Sequence, residues 1–268
     1  MMDLSIVILH HGSPKDVSST LEALASARLP QRTEVLVVNN GTPGCNEAIA
    51  LPAHFGPELR FFEIPNKGYP QGVNFGLNLA RGRFLCVCGD VEVERNTFSV
   101  LLNYLEAHPR VGMVAPRLVF PNGKIQDNFR VFPRVGDLIV KRTFFRKFFK
   151  KSMARYLMWH KEPQESEPVD WLTGAFQLMT RKCWEAAGPQ DERYFLFMSD
   201  VDLCRQVWEK GFEVHFVGAT QAIHPEARLS AGGILSLKKW VVRQHIIDAL
   251  KYFWKYLHHP LPKRRNYP

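Results

Sequence analysis

The sequence predicts an α/β fold built on a mainly parallel sheet, and three observations predict it. Short apolar runs rich in β-branched residues alternate with amphipathic segments over the first 115 residues, which is the pattern of strand–helix–strand units. Three of those runs end in polar, turn-forming clusters: His10-His11-Gly12, Asn39-Asn40-Gly41 and Gly89-Asp90-Val91-Glu92. Open α/β sheets bind ligands beyond the carboxyl ends of their strands, so the shared position of these clusters marks a site.

The elements follow in order. Residues 4–9 form a buried strand stopped by His-His-Gly. Residues 14–28 form a helix, with Val17, Leu21, Leu24 and Ala25 at helical spacing. Residues 34–38 are a second strand and 60–64 a third. Residues 70–81 are helical, with Pro70 near the first turn and Gly82 past the end. Residues 83–88 are a fourth strand, and 96–108 a helix. The second half is less regular. Residues 117–136 read as strand and loop, 161–168 as a polar loop, 181–187 and 200–210 as helices and 212–217 as a strand. Residues 234–257 form a long C-terminal helix. The two halves meet near 115–120, within one continuous domain.

Composition sets limits. The chain has 268 residues, 46% hydrophobic and 23% charged, enough for a large core and unlike a disordered or fibrous chain. Its formal net charge of +9 favours phosphates, nucleic acid or an anionic membrane face. Five cysteines without paired C-x-x-C spacing suggest neither a zinc ribbon nor a disulfide framework, and fit a reducing compartment. The N-terminal apolar run is too short for a signal sequence, and no run reaches the length of a membrane span. The expectation is a soluble or peripheral cytoplasmic protein.

Five constellations can carry chemistry. Asp90 and Glu92 follow a buried strand, and two carboxylates so placed can approach one hard cation, Mg²⁺ or Mn²⁺; the structural alternative is a solvated turn. In Asn66-Lys67-Gly68-Tyr69-Pro70-Gln71-Gly72-Val73-Asn74-Phe75-Gly76, glycine recurs every fourth residue. The helix start near Gly68 offers N–H groups to an anion, while Gly76 suits plain helix–sheet packing. In the segment from Glu192 to Cys204 an aromatic run meets Asp200 and Asp202 at a helix start. Asp200 is either a general base held against apolar walls or a helix N-cap. Trp171 in Asp-Trp-Leu-Thr-Gly is a stacking floor for a sugar ring or a core residue. His224, after a strand, is structural or a ligand for metal or phosphate.

Read in order, these segments resemble the inverting family 2 glycosyltransferases of GT-A fold, in their rhamnosyltransferase-like branch of bacterial surface polysaccharide and O-antigen synthesis. The resemblance is carried by SIVILHHG (5–12), VLVVNNGT (35–42), NKGYPQGVNFGLNLARGRFLCVCGDVEVE (66–94), VDWLTGAFQLMTRKCWEAAG (169–188), DERYFLFMSDVDLCRQVWEKGFEVHFV (191–217) and IHPEARLSAGG (223–233). It implies a single Rossmann-like, mainly parallel mixed sheet flanked by helices over 1–233. A nucleotide-binding half (1–115) would precede an acceptor half (116–233), and a basic amphipathic helix and tail would fill 234–268.

The resemblance also implies roles. Asp90, Glu92 and His224 would hold Mg²⁺ or Mn²⁺ against the diphosphate. His10, Asn39, Asn40, Gly41, Asn66, Gly68, Asn74 and Asp90 would surround the nucleotide sugar, dTDP-rhamnose or a UDP-sugar. Trp171, Gly174 and Asp202 would face a glycan or lipid-linked acceptor. Asp200 would be the general base, taking the proton from the acceptor hydroxyl as that oxygen attacks the anomeric carbon in one displacement with inversion. A retaining hydrolase would instead use two carboxylates about 5 Å apart. Three positions depart from the family pattern: Asn39 where Asp is common, Ser199 where Glu is common, and Cys88-Gly89 ahead of Asp90.

Residues 137–151 and 238–257 carry much of the positive charge. In the second, Val242, Ile246, Leu250, Phe253 and Leu257 share helical spacing, flanked by Lys238, Lys239, Arg243, Lys251 and Lys255. Such a helix either lies in a membrane interface, here the inner face of the cell membrane, or packs its apolar side on the domain. Two other readings compete with the transferase. An inactive scaffold could bind membrane or nucleic acid, although nucleic acid fits ordered acidic motifs poorly. A nucleotidyltransferase would need a glycine-rich basic loop, which His10–Lys15 does not supply.

Overall fold

In the computed structural model, residues 2–41, 43–142, 148–158, 165–225 and 240–262 are described. The first half runs β1 (Met2–His10), α1 (Pro14–Ser26), β2 (Thr33–Asn39), β3 (Glu58–Glu63), α2 (Tyr69–Leu79), β4 (Gly82–Cys88), β5 (Glu92–Val93), α3 (Thr97–Ala107) and β6 (Val111–Val119). The second runs β7 (Phe129–Arg130), α4 (Val135–Arg142), α5 (Lys150–Tyr156), β8 (Glu167–Pro168), β9 (Trp171–Leu172), β10 (Phe176–Thr180), α6 (Arg181–Ala187), α7 (Ser199–Glu209), β11 (Glu213–Ile223) and α8 (Trp240–Lys255).

One large sheet has the order β3-β2-β1-β4-β10-β6-β11-β5, with β8 alongside β11. The pairs β1–β2, β1–β4, β2–β3 and β6–β11 are parallel. The strand β10 enters antiparallel between β4 and β6 and makes the sheet mixed. A separate two-stranded sheet joins β7 to β9. The strand β6 begins before the stretch the sequence assigns to strand and loop. Its nine residues run through the position near 115 where the two halves were expected to meet.

Burial explains the central strands. All seven residues of β2 are buried, as a strand covered on both faces requires. Register then aligns the strand ends: His10 of β1 pairs with Asn39 of β2. The helix α2 lies close on this sheet because it carries glycines. A Cβ at Gly72 would sit 2.5 Å from Leu9 Cδ1, and one at Gly76 would sit 2.4 Å from Val7 Cγ1. Both glycines therefore serve helix–sheet packing.

The amino ends of the same strands are tied by Glu34, whose side chain is fully buried. It accepts hydrogen bonds from Ser5 Oγ (2.6 Å), the Arg81 backbone N–H (2.6 Å) and the guanidinium groups of Arg60 and Arg81 (both 2.7 Å). Burial works to raise this carboxyl, but the bonds from Arg81 and Ser5 outweigh it and hold it below the usual range.

The C-terminal helix divides its residues differently from the single apolar stripe expected. Val242, Asp248 and Tyr252 are buried against the domain, while Ile246, Ile247, Leu250, Trp254 and Leu257 are exposed. Asp248 accepts from the backbone N–H groups of Phe195 (3.2 Å), Leu196 (3.0 Å) and Phe197 (3.0 Å). Lys255 bridges Asp191 and Asp202, each at 2.8 Å. Among the described residues, no helix is long and apolar enough to cross a membrane. The segment 226–233, Lys238, Lys239 and the side chains of 141–147 lie outside what the structure describes.

Candidate active site

The carboxyl ends of β1 and β4, the start of α2, the start of α7 and the end of β11 converge on a cavity of about 350 Å³. His10, Tyr69, Asp90, Gly174, Asp200 and His224 line it. Residues from the first and last quarters of the chain thus meet where the sheet geometry leads ligands.

Asp90 follows β4 at the bend Gly89–Asp90. Its Oδ1 lies 3.3 Å from His224 Nε2. Burial works to raise the Asp90 carboxyl, and the hydrogen bond and charge of His224 bring it below the usual carboxylate range. His224 is oriented from behind by Gln126. The Gln126 amide nitrogen donates to the His224 backbone carbonyl (2.8 Å), so its Oε1 is the atom that meets His224 Nδ1 at 2.9 Å. Nδ1 must therefore carry hydrogen, which leaves Nε2 directed at Asp90.

Asp200 occupies the first turn of α7, which begins at Ser199 with Met198 in the cap position, in the left-handed region at φ 68°. The N-cap alternative for Asp200 does not hold. One carboxylate oxygen accepts from Gly174 N (3.1 Å), the other from Val201 N (2.8 Å). Burial raises the Asp200 carboxyl against these donors and a nearby Arg130.

Gly174 approaches Tyr69 so closely that a Cβ there would lie 2.8 Å from the phenol oxygen. Tyr69 Oη in turn donates to the Gly174 carbonyl (2.8 Å), and burial pushes its own ionisation far upward. The Tyr69 backbone N–H donates to Phe195 O (2.7 Å). Gly68 has φ 109°, and a Cβ on it would lie 2.5 Å from that same Phe195 oxygen, so glycine is needed there.

The loops after β1, β2 and β3 are built from short polar side chains. Asn39 Oδ1 accepts from Gly41 N (2.9 Å), Asn40 Nδ2 donates to Gly68 O (3.3 Å), and Asn66 Oδ1 accepts from Gly68 N (3.0 Å). A Cβ at Gly41 would lie 2.7 Å from Gly12 N. His10 is buried, with Nε2 at 3.0 Å from Asn46 Oδ1 and its Nδ1 unpartnered. Burial lowers its pKa below the usual histidine value.

Nine expected site residues do not line this cavity: Asn39, Asn40, Gly41, Asn66 and Gly68 form the loops just described, and Glu92, Asp202, Asn74 and Trp171 lie elsewhere, each for a local reason. Glu92 is exposed between buried Val91 and Val93, because strand alternation turns it outward. It borders a separate hollow with Ser18, Ser19 and Glu22. Asp202 is two residues past Asp200, about 200° around the helix, and is fully buried on Lys255, Tyr194 and Gln206. Asn74 binds the Gln190 backbone through both side-chain atoms (each 2.9 Å). Trp171 is buried, donating to Val131 O (2.9 Å) under the Arg130 guanidinium, 4.9 Å from the ring centre.

Two residues at the site have no role in the sequence reading. Tyr69 stands inside a quoted motif, where its neighbour Gly68 was a signal. Gln126 lies 98 residues from His224, and no spacing could have linked them.

Comparison with known proteins agrees with this fold. The family model for glycosyl transferase family 2 matches residues 5–161. An N-acetylglucosaminyl-diphospho-decaprenol L-rhamnosyltransferase of Mycobacterium tuberculosis is 25% identical, over 85% of this chain and 78% of its own. Rhamnosyltransferase WbbL of Escherichia coli is 32% identical over 35% of this chain and 33% of its own. Among solved structures, a mannosyltransferase from Pyrobaculum calidifontis in complex with GDP-Man and Mn²⁺ superposes with a TM-score of 0.60. It is 15% identical, over 97% of this chain and 65% of its own. GalNAc-T7 with UDP, GalNAc and Mn²⁺ gives a TM-score of 0.59 at 13% identity, over 84% of this chain and 44% of its own. The fold is therefore that of the GT-A glycosyltransferases. The chain belongs to glycosyl transferase family 2, and rhamnosyltransferases are among the relatives it matches at sequence level.

Proposed function

We propose that this protein is an inverting, metal-assisted glycosyltransferase. It would move a hexose or deoxyhexose from a nucleoside diphosphate, dTDP-rhamnose or a UDP-sugar, to a glycan or lipid-linked acceptor in surface polysaccharide synthesis. The observation that carries the reading is one cavity lined by two differently tuned carboxylates. Asp90 is held low beside His224, and Asp200 is raised by burial. Environments that push two acids apart assign them different tasks.

Asp90 and His224 fit a divalent cation. They offer one carboxylate oxygen and one imidazole nitrogen directed at each other, with Gln126 fixing the ring from behind. Among the described residues no cluster of three or more such ligands exists, which suits an ion shared with substrate phosphates. The imidazole favours Mn²⁺ over oxygen-seeking Mg²⁺. A cation bound there supplies charge neutralisation for the departing diphosphate.

Asp200 acts on the acceptor. Its carboxylate takes the proton from an acceptor hydroxyl as that oxygen bonds to the anomeric carbon and the bond to the diphosphate oxygen breaks. Attack opposite the leaving group inverts the carbon in one step, with no sugar–enzyme bond. A raised pKa strengthens Asp200 as a base. The donors Gly174 N and Val201 N keep it in place. The loops of Asn39, Asn40, Gly41, Asn66 and Gly68 border the donor side. The five free cysteines, four of them buried, accord with a reducing cytoplasmic setting.

The test is a thermal-shift panel of nucleotides and nucleotide sugars with and without Mn²⁺, on wild type and Asp90→Ala. Ligands that bind the folded state raise Tm by mass action. A Mn²⁺-dependent rise with one nucleotide class, lost in Asp90→Ala, is the expected result. A panel with no shift for any nucleotide sinks the transferase reading.

A further inference from the structure

The helix α8 shows solvent an apolar stripe that the domain does not use. Ile247, Leu250, Trp254 and Leu257 follow one another at three- or four-residue steps on one face, and half-exposed Trp240, edge-on to Phe195, stands two turns before them. Trp254 is 81% exposed, Leu250 64% and Leu257 63%. Soluble surfaces seldom gather so many large apolar side chains in one line. Arg243 and Lys251 stand beside them, both exposed. The only carboxylate of α8, Asp248, is fully buried on the opposite face.

Charge selects the partner. Residues 238–265 contain eight Lys and Arg and one Asp, a net +7 of the chain's +9. A second copy meeting this face would set exposed Arg243 and Lys251 against their own like charges. Nucleic acid would match the charge but leave the aliphatic stripe and Trp254 without a purpose. A bilayer with anionic headgroups matches both: apolar side chains enter the acyl boundary, tryptophan sits at the interface, and Lys and Arg meet the phosphates.

We propose that the outward face of α8 seats the protein on an anionic lipid bilayer, with the 16-residue helix lying in the plane of the interface over about 24 Å. The proposal extends the transferase reading by giving the enzyme a surface to work on. It stands on observations separate from the donor pocket.

The test is co-sedimentation of the full chain with phosphatidylcholine vesicles, with and without phosphatidylglycerol, at low and raised salt. Wild type is expected to pellet with the phosphatidylglycerol vesicles and much less with neutral ones. The double variant Leu250→Ser, Trp254→Ser removes two exposed side chains and should keep its Tm. It is expected to bind the anionic vesicles roughly tenfold or more weakly. Four results overturn the proposal: wild type left in the supernatant, equal pelleting of variant and wild type, light scattering showing a dimer that the double variant dissolves, or a DNA fragment bound in preference to vesicles. Donor binding by thermal shift in the same samples separates this outcome from that of the transferase reading.

Discussion

Gln126 grips His224 at two points, donating to its backbone carbonyl and accepting from its Nδ1, and so leaves Nε2 for Asp90. The contact couples the hairpin turn after β6 to the end of β11. Because the carbonyl can only accept, the amide cannot flip, and hydrogen on Nδ1 is held there without any residue of opposite charge.

Gln126→Leu should release the ring. Partners behind a metal-binding histidine are worth roughly 10–100-fold in metal affinity. Mn²⁺ titration followed by electron paramagnetic resonance should show a loss of that order, with Gln126→Glu recovering part of it. Nitrogen NMR of the free protein should show His224 protonated at Nδ1 in wild type. A wild-type spectrum with the hydrogen on Nε2 alone would contradict the geometry.

Asp200→Asn should lower kcat by roughly 10²–10⁴-fold while leaving the donor-induced thermal shift in place. The same substitution should raise Tm at neutral pH. Burial raises the folded-state pKa of Asp200 above the ordinary aspartate value of 3.8, so its ionisation opposes folding as pH rises through the folded value. The stabilisation from Asn should fade in acid, where the carboxyl is protonated in both states. The acid limb of the rate profile should fall above the ordinary aspartate range for the same reason.

Glu34→Gln tests the opposite end of the sheet. A folded-state pKa below the unfolded value of 4.5 means stability present above that value and lost as pH falls through the folded one. Urea unfolding at pH 7 should show a cost of about 2 kcal/mol, shrinking as the solution is acidified. Mn²⁺ and donor binding should be unchanged.

Asp248→Ala removes the acceptor of three backbone N–H groups at Phe195–Phe197. Stranding them should cost about 3 kcal/mol in chemical denaturation. The amides of these three residues should exchange with solvent faster than those of β2, which identifies the lesion as local.

Much of this arrangement was legible in the sequence, for physical reasons. The period of apolar residues separates strands from helices, so β1, α1, β2, α2, β4 and α3 emerge within a few residues of their observed bounds. Turn chemistry at strand ends gathers Asp90 and the Asn39–Gly41 loop on one side of the sheet. Pairing partners have no such signature. The strand β10 carries nothing that says it enters antiparallel beside β4. Facing direction was equally hidden where two rules compete. Glu92 follows the alternation of β5 away from Asp90, and Asp202 follows the helical turn away from Asp200. The helix α8 was read as having one apolar side, but it buries Val242 and Tyr252 and exposes Leu250 and Trp254.

The polar knot of Ser5, Glu34, Arg60 and Arg81 sits at the amino ends of the strands, a full strand length from the pocket at their carboxyl ends. Robustness and chemistry are thereby assigned to opposite poles of one sheet. Loops at the pocket's pole can vary while the other pole keeps the strands in register. A library randomised at Asn39, Gly41 and Asn66 should contain many folded members, whereas one randomised at Glu34 and Arg81 should contain few.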